Sequence, residues 1–337
     1  MDPGAGLDLS DLVHLLAVRV LFCLPSLGAI RDNLEVALTE HEIVTCAPSE
    51  VIAAAQNADV LVPFGTSISR PELECSSVRL VQQLGAGMES VDIDAASQLG
   101  VYVANIPTDQ TANAQSVAEL AVSLMLALGR KLIGLNEGVR RGDWGKYELE
   151  TTLRSSTVGL VGYGGIGRTL APILRSFGSR VLAVSRRGPP SEHDPSLDFH
   201  GTLEDLPKVL GQSDYVVLAF PLNAETKGYF DSKLIAAMKP GAHLINVARG
   251  ALIEYQDLLD GLASGQLGGA ALDVFWTEPF PGDDPIFQYN VIGTPHRGGA
   301  TVENYDDMAQ AVAENVDRVA RGEVPKFCMN LDQIVLP

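Results

Sequence analysis

Residues 157–177 read TVGLVGYGGIGRTLAPILRSF. A short apolar run, VGLV, leads into Gly162-Tyr163-Gly164-Gly165-Ile166-Gly167 and then into a helical pattern, RTLAPILRSF. A G-x-G-x-x-G set between a strand and a helix is the fingerprint of a dinucleotide-binding βαβ unit. Gly162 permits the tight turn, Gly164 lets the backbone approach a pyrophosphate, and Gly167 lets helix and strand pack closely. The helix start adds free N–H groups and the positive end of its dipole. In a chain with 33 glycines the same pattern also arises as a plain turn. FAD and S-adenosylmethionine binders share parts of it, so the loop alone does not name its ligand.

The next strand bears on which dinucleotide is bound. Residues 181–187 read VLAVSRR. NAD binders place an acid near this strand end, about 20 residues beyond the loop, to bond the ribose hydroxyls. Here Ser185, Arg186 and Arg187 stand in its place. Guanidinium forks suit a phosphate, so the stretch predicts a preference for NADP, with NAD also possible. The competing reading is an exposed basic turn with no ligand. Arg168, at the helix start, is a further candidate near the phosphates.

The alternation of apolar runs and helical patterns continues in both directions. VRVLFCL (18–24), ADVLVPF (58–64), VRLVQQLG (78–85) and VYVANIP (101–107) precede the loop. YVVLAFP (215–221), AHLINVA (242–248), GAALDVF (269–275) and NVIGTPH (290–296) follow it. This order predicts parallel strands with crossover helices. Residues 114–130 are apolar on nearly every face, which predicts a helix packed in a core or between domains. A second long helical pattern, over 302–320, stops at Gly322 and leads the chain back toward its N-terminal half. The first domain is therefore expected to be discontinuous and the second inserted in it. A length of 337 residues also favours two cores over one.

A hydrophobic content of 46% and a charged content of 20% fit a soluble globular protein. The formal net charge of −18 argues against a general nucleic-acid binder and against anionic membranes. Cys23, Cys46, Cys75 and Cys328 lack zinc-type spacing and read as reduced thiols, so no metal is expected. Asp2, Asp8 and Asp11 oppose a secretory signal, and no apolar run reaches the ~20 residues of a membrane span. A cytoplasmic location is the expectation.

Three further strand ends carry reactive groups. NVARGALIE (246–254) offers Arg249, LDVFWTEP (272–279) offers Asp273 and Glu278, and GTPHRGGAT (293–301) offers His296. Ligands of open α/β sheets bind outside the carboxyl ends of the strands, the side on which the glycine loop lies. Taken singly, each residue reads more simply as a surface ion pair, a loop boundary or a turn residue. Their joint placement points to catalysis. His14, His41, His193, His200 and His243 lack such a setting and read as structural or exposed.

Together with GAGMESVD (85–92), SVAEL (116–120), RRGDW (140–144) and FPLNAETKG (220–228), these segments resemble the D-isomer-specific 2-hydroxyacid dehydrogenases over nearly the whole chain, in particular glyoxylate/hydroxypyruvate reductases. The resemblance implies an α/β fold of two doubly wound parallel-sheet domains. A Rossmann cofactor domain, 110–302, would be inserted into a discontinuous flavodoxin-like substrate domain, 1–109 and 303–337. It implies hydride transfer between nicotinamide C4 and C2 of a small 2-oxo or D-2-hydroxy acid. Arg249 would bind the carboxylate, His296 would act as acid and base, and Glu278 would hold the imidazole in the manner of a triad acid. The cofactor would lie against Gly162, Gly164, Gly165, Ile166, Gly167, Arg168, Ser185, Arg186, Arg187, Pro221, Thr226, Ala248 and Asp273. The substrate would meet Leu84, Gly85, Ala86 and Gly87 besides Arg249 and His296. A homodimer is also implied.

Departures from relatives narrow the substrate. VPFGTSIS (62–69) and LVQQLGAG (80–87) lack the arginines with which phosphoglycerate dehydrogenases hold a phosphate, and Gln83 stands where one is expected. Glu278 replaces the glutamine of related formate dehydrogenases, and Arg297 replaces a commoner apolar residue. Phosphite or phosphoglycerate oxidation, and a corepressor-like nucleotide-sensing role, remain the rival readings.

Overall fold

The apolar runs become two sheets of parallel strands in the computed structural model, which describes residues 17–74, 76–144, 149–190 and 194–334. The chain divides into two compact units, one running to Thr111 and resuming at Val302, the other spanning Ala112–Thr301.

In the first unit, β1 (Arg19–Phe22), β2 (Glu42–Thr45), β3 (Val60–Val62), β4 (Leu80–Gln82) and β5 (Tyr102–Ala104) form one sheet in the order β2-β1-β3-β4-β5. Neighbouring strands are parallel, and the order is that of flavodoxin-like doubly wound folds. Strands β3 and β4 are buried throughout, as parallel strands covered on both faces must be. The helix Val302–Ala320 places Ala309, Val312, Val316 and Val319 in the same core as Val20, Phe22 and Leu80.

The second unit holds β6 (Thr157–Val161), β7 (Arg180–Val184), β8 (Phe199–Gly201), β9 (Tyr215–Leu218), β10 (Ala242–Asn246), β11 (Leu267–Leu272) and β12 (Val291–Gly293). Their order, β12-β11-β10-β9-β6-β7-β8, is the Rossmann order with one added strand, and the pairs are parallel. The strand order reverses between β6 and β9, so the glycine loop that follows β6 sits at the switch point, where such sheets bind ligands. The helix Asn113–Gly129 packs Val117, Ala121, Met125 and Leu128 against Leu160, Leu170 and Val217. Its all-round apolarity thus reflects a place in this unit's core.

Strands β2 and β8 are missing from the apolar-run reading of the sequence. Each lies at a sheet edge and is short, EIVT and FHG, with less to bury than a central strand. Among the described residues no helix is long and apolar enough to cross a membrane. Cys23, Cys46 and Cys328 are free thiols, and burial pushes the Cys23 thiol up to about 12. Asp2, Asp8, Asp11, His14, Cys75 and His193 lie outside the described residues.

Candidate active site

The glycine loop has the shape its spacing predicts. Gly162 has a φ of +102°, and a Cβ there would lie 2.4 Å from the Ala219 carbonyl oxygen. A Cβ at Gly167 would lie 2.7 Å from the Gly162 carbonyl oxygen. These two glycines are required by the chain's own close approaches. Gly164 differs: it precedes the helix Gly165–Ser176 in extended conformation, and a Cβ there would meet nothing within 4 Å. The first turn has no side-chain cap and no acid. Open space beside uncapped N–H groups fits a pyrophosphate. Ile166 packs on the core behind the loop, and Arg168 is exposed on the first turn.

Ser185, Arg186 and Arg187 follow β7. The Gly188 N–H closes a turn onto the Ser185 carbonyl at 3.1 Å. Both arginines are exposed and have no hydrogen-bond or ion-pair partner among the described residues. Pro221 and Thr226 lie in the loop after β9, where the Thr226 hydroxyl donates to the Pro221 carbonyl at 2.9 Å and stiffens the turn.

After β10, the buried Asn246 shapes the next turn. Its Nδ2 donates to the Arg249 carbonyl at 2.9 Å, and its Oδ1 accepts from the Ala248 N–H at 3.1 Å. The Arg249 guanidinium donates through Nη1 to the Ala248 carbonyl at 2.7 Å. Gly250 is forced by packing, because a Cβ there would lie 2.2 Å from the Phe275 carbonyl carbon. The Phe275 N–H in turn donates to Glu278 Oε1 at 3.1 Å, and Glu278 Oε2 lies 2.9 Å from His296 Nδ1. A carboxylate only accepts, so Nδ1 carries the proton of that bond and Nε2 is left as the atom available for chemistry. The two side chains are 47% and 40% exposed, so their ion pair adds at most about 1 kcal/mol to stability. Its consequence is orientation.

Asp273 supports the loop that carries His296. It is 2% exposed. Its Oδ1 accepts from Thr294 Oγ1 at 2.6 Å and from the Arg297 N–H at 2.7 Å, and its Oδ2 from the Gly298 N–H at 2.8 Å. Donors of this kind offset the cost of taking a polar side chain out of water. The His296 N–H donates to the Asp273 carbonyl at 2.8 Å, which holds His296 in the left-handed region at a φ of +53°. A non-glycine residue held there is a frequent feature of functional sites. Arg249 and His296 follow β10 and β12, whose strands are separated by β11 and so lie about 10 Å apart, two strand spacings. Arg297 is exposed beside them.

In the first unit, Leu84, Gly85, Ala86 and Gly87 follow β4. The Ile106 N–H donates to the Gly85 carbonyl at 3.1 Å and Asn105 Nδ2 to the Ala86 carbonyl at 3.0 Å. The N–H groups of Ala86 and Gly87 have no acceptor among the described residues, and backbone donors of this kind suit a carboxylate. Gln83 is buried, with its Nε2 donating to Ser90 Oγ at 2.9 Å.

The structure also shows contacts that no motif marks. His41 pairs with Asp317, and His243 stacks on Tyr215. His200, read from sequence as structural or exposed, bonds Ser185 at the end of β7. The support given by Asn246 and Asp273 is likewise unmarked. A polar residue closing an apolar strand, as in AHLIN, is the one signal that would have singled out Asn246.

Comparison with known proteins adds the following. A family model described as D-isomer specific 2-hydroxyacid dehydrogenase, NAD binding domain, matches residues 122–298. The glyoxylate reductase of Thermococcus litoralis is 33% identical over 293 residues, covering 84% of this chain and 86% of that protein. The D-3-phosphoglycerate dehydrogenase of Methanocaldococcus jannaschii is 33% identical over 300 residues, covering 88% of this chain but 56% of that longer protein. Among solved structures, an acyclic imino acid reductase in complex with NADPH and D-Arg superposes with a TM-score of 0.79 at 25% identity, covering 92% of this chain and 99% of that one.

Proposed function

The chain belongs to the D-isomer-specific 2-hydroxyacid dehydrogenase family, and on that premise we propose that it is an NADP-preferring reductase of small 2-oxo acids of the glyoxylate or hydroxypyruvate class. As a member of that family it is an oxidoreductase that uses a nicotinamide cofactor. The observation that carries the proposal is the Glu278–His296 pair, held at the end of β12 two strands from Arg249.

The chemistry follows from the groups present. A bound nicotinamide supplies hydride to C2 of the 2-oxo acid. Arg249 grips the adjacent carboxylate with paired charge-assisted bonds and polarises the ketone. His296 gives the Nε2 proton to the ketone oxygen, which becomes the hydroxyl, and takes it back in the oxidation direction. Glu278 keeps the ring aimed throughout. Asp273 acts behind the ring by fixing the 294–298 loop. Its further role at the cofactor is the one the family resemblance implies. In this reading the second unit binds the cofactor and the first contributes to substrate.

The cofactor preference rests on Arg186 and Arg187, which stand exposed with no acid in the turn, and is supported by the NADPH complex of the imino acid reductase. Changing Ser185→Asp together with Arg186→Ala should shift relative kcat/KM from NADPH toward NADH by about ten- to a hundredfold, since a charged hydrogen bond contributes about 1.5–3 kcal/mol. Steady-state kinetics with each cofactor measure this, and a wild-type enzyme that already prefers NADH contradicts it. We also propose a homodimer, supported by the exposed apolar side chains Leu132, Ile133 and Val139 on the helix Leu132–Arg140.

A further inference from the structure

The turn after β7 is tied both to the edge strand β8 and to the glycine loop by side chains. His200 lies on β8, opposite Ala183 of β7. Its Nε2 is 2.9 Å from Ser185 Oγ, and Ser185 Oγ is 3.2 Å from the Gly188 carbonyl oxygen. A serine hydroxyl has one proton, and here the carbonyl takes it. His200 Nε2 must therefore carry a proton of its own and donate it to Oγ. Nδ1 is left as a bare acceptor, and that atom is buried with no partner among the described residues. Burial also lowers the His200 pKa below its ordinary value, which keeps the ring neutral. The ring meets Tyr163 of the glycine loop edge-on, with centroids 5.0 Å apart, and the Tyr163 hydroxyl donates to Asp194 Oδ2 at 2.5 Å.

We infer that His200 is a positioning residue for cofactor selection: its Nε2–H holds Ser185 Oγ so that the serine proton can be given to a phosphate on the 2′ position of the adenosine ribose. The inference rests on the NADP reading above. The bond to the Gly188 carbonyl is long, and a charged phosphate oxygen is a stronger acceptor than a carbonyl. Rotation about the Cβ–Oγ bond moves the proton from one acceptor to the other while His200 still holds the oxygen. The chain His200 to Ser185 to phosphate then donates in one direction, each bond strengthening the next. A ribose hydroxyl carries no charge and gains little from it.

The test is binding of NADPH and of NADH to the full chain, measured by nicotinamide fluorescence, for wild type, His200→Phe, His200→Gln, Ser185→Ala, Arg186→Ala and the His200→Phe/Ser185→Ala pair. Phenylalanine keeps a ring against Tyr163 and removes the N–H. His200→Phe should raise the Kd for NADPH about three- to tenfold and that for NADH less than about twofold. Glutamine, which can still donate to Oγ, should recover most of the loss. Ser185→Ala should reproduce the selectivity loss, and the pair should add nothing to it, because both act through one bond. Should His200→Phe prove unstable on heating, Ser185→Ala and His200→Gln carry the comparison. Equal losses for both cofactors would make His200 a prop for Tyr163 and overturn the inference, leaving the NADP reading intact if Arg186→Ala still lowers selectivity. A wild type that does not favour NADPH, with Arg186→Ala unchanged, overturns both.

Discussion

Arg249→Lys should lower kcat/KM for glyoxylate by about 10²–10³-fold while the Kd for NADPH stays within about twofold. The positive charge is kept, so the loss isolates the planar fork. Asn246 fixes the main chain on either side of Arg249, and Nη1 rests on the Ala248 carbonyl, so the guanidinium is held before substrate arrives. A lysine ammonium on a flexible stem loses one of two parallel bonds and must be ordered on binding. Losing a charge-assisted bond and that preorganisation accounts for about 3–4 kcal/mol of transition-state stabilisation. Steady-state kinetics and NADPH titration together decide the matter. A Kd for NADPH that rises as much as the substrate KM would move Arg249 to the cofactor.

His296→Gln should slow 2-oxo acid reduction by about 10²–10⁴-fold, the usual contribution of a positioned general acid. Glu278→Gln should cost less, about tenfold, because the amide still fills the space and can bond the ring. The double variant should be no slower than His296→Gln alone, since Glu278 acts through the imidazole and has nothing to orient once it is gone. The pair is half exposed, so none of the three variants should lower Tm by more than a few degrees. If Glu278→Gln takes its full factor again in the His296→Gln background, the two residues act independently and the pairing is not the catalytic unit.

What could be read in the sequence follows the burial of each element. Strands β6, β9 and β10 lie inside a parallel sheet covered on both faces, so TVGLV, YVVL and AHLIN show as near-continuous apolar runs. The glycine loop is legible because Gly162 and Gly167 each answer a close backbone approach. Arg249, Glu278 and His296 are legible because a parallel sheet gathers its strand ends on one side. Strands β2 and β8 are not, since EIVT and FHG are short edge strands with too few apolar residues in a row to show as a run. The bonds that position the site are also invisible in sequence. The donors to the Asp273 carboxylate come from residues 21 to 25 positions away, and His200 reaches Ser185 across 15. Only strand register brings such residues together, and register is a property of the assembled sheet.

In the proposed reaction a nicotinamide cofactor reduces an unphosphorylated 2-oxo acid, with Arg249, Glu278 and His296 binding it and supplying the proton. The deciding measurement is the near-ultraviolet absorbance of NADPH, followed with the purified full chain and glyoxylate, hydroxypyruvate or 3-phosphohydroxypyruvate. The expected result is NADPH loss matched mole for mole by glycolate or glycerate, at a kcat/KM at least about tenfold above that for the phosphorylated compound, whose phosphate would find no arginine in the 62–69 and 80–87 loops. Contradiction would come from comparable use of the phosphorylated compound, or from no oxidation of NADPH or NADH with either unphosphorylated acid.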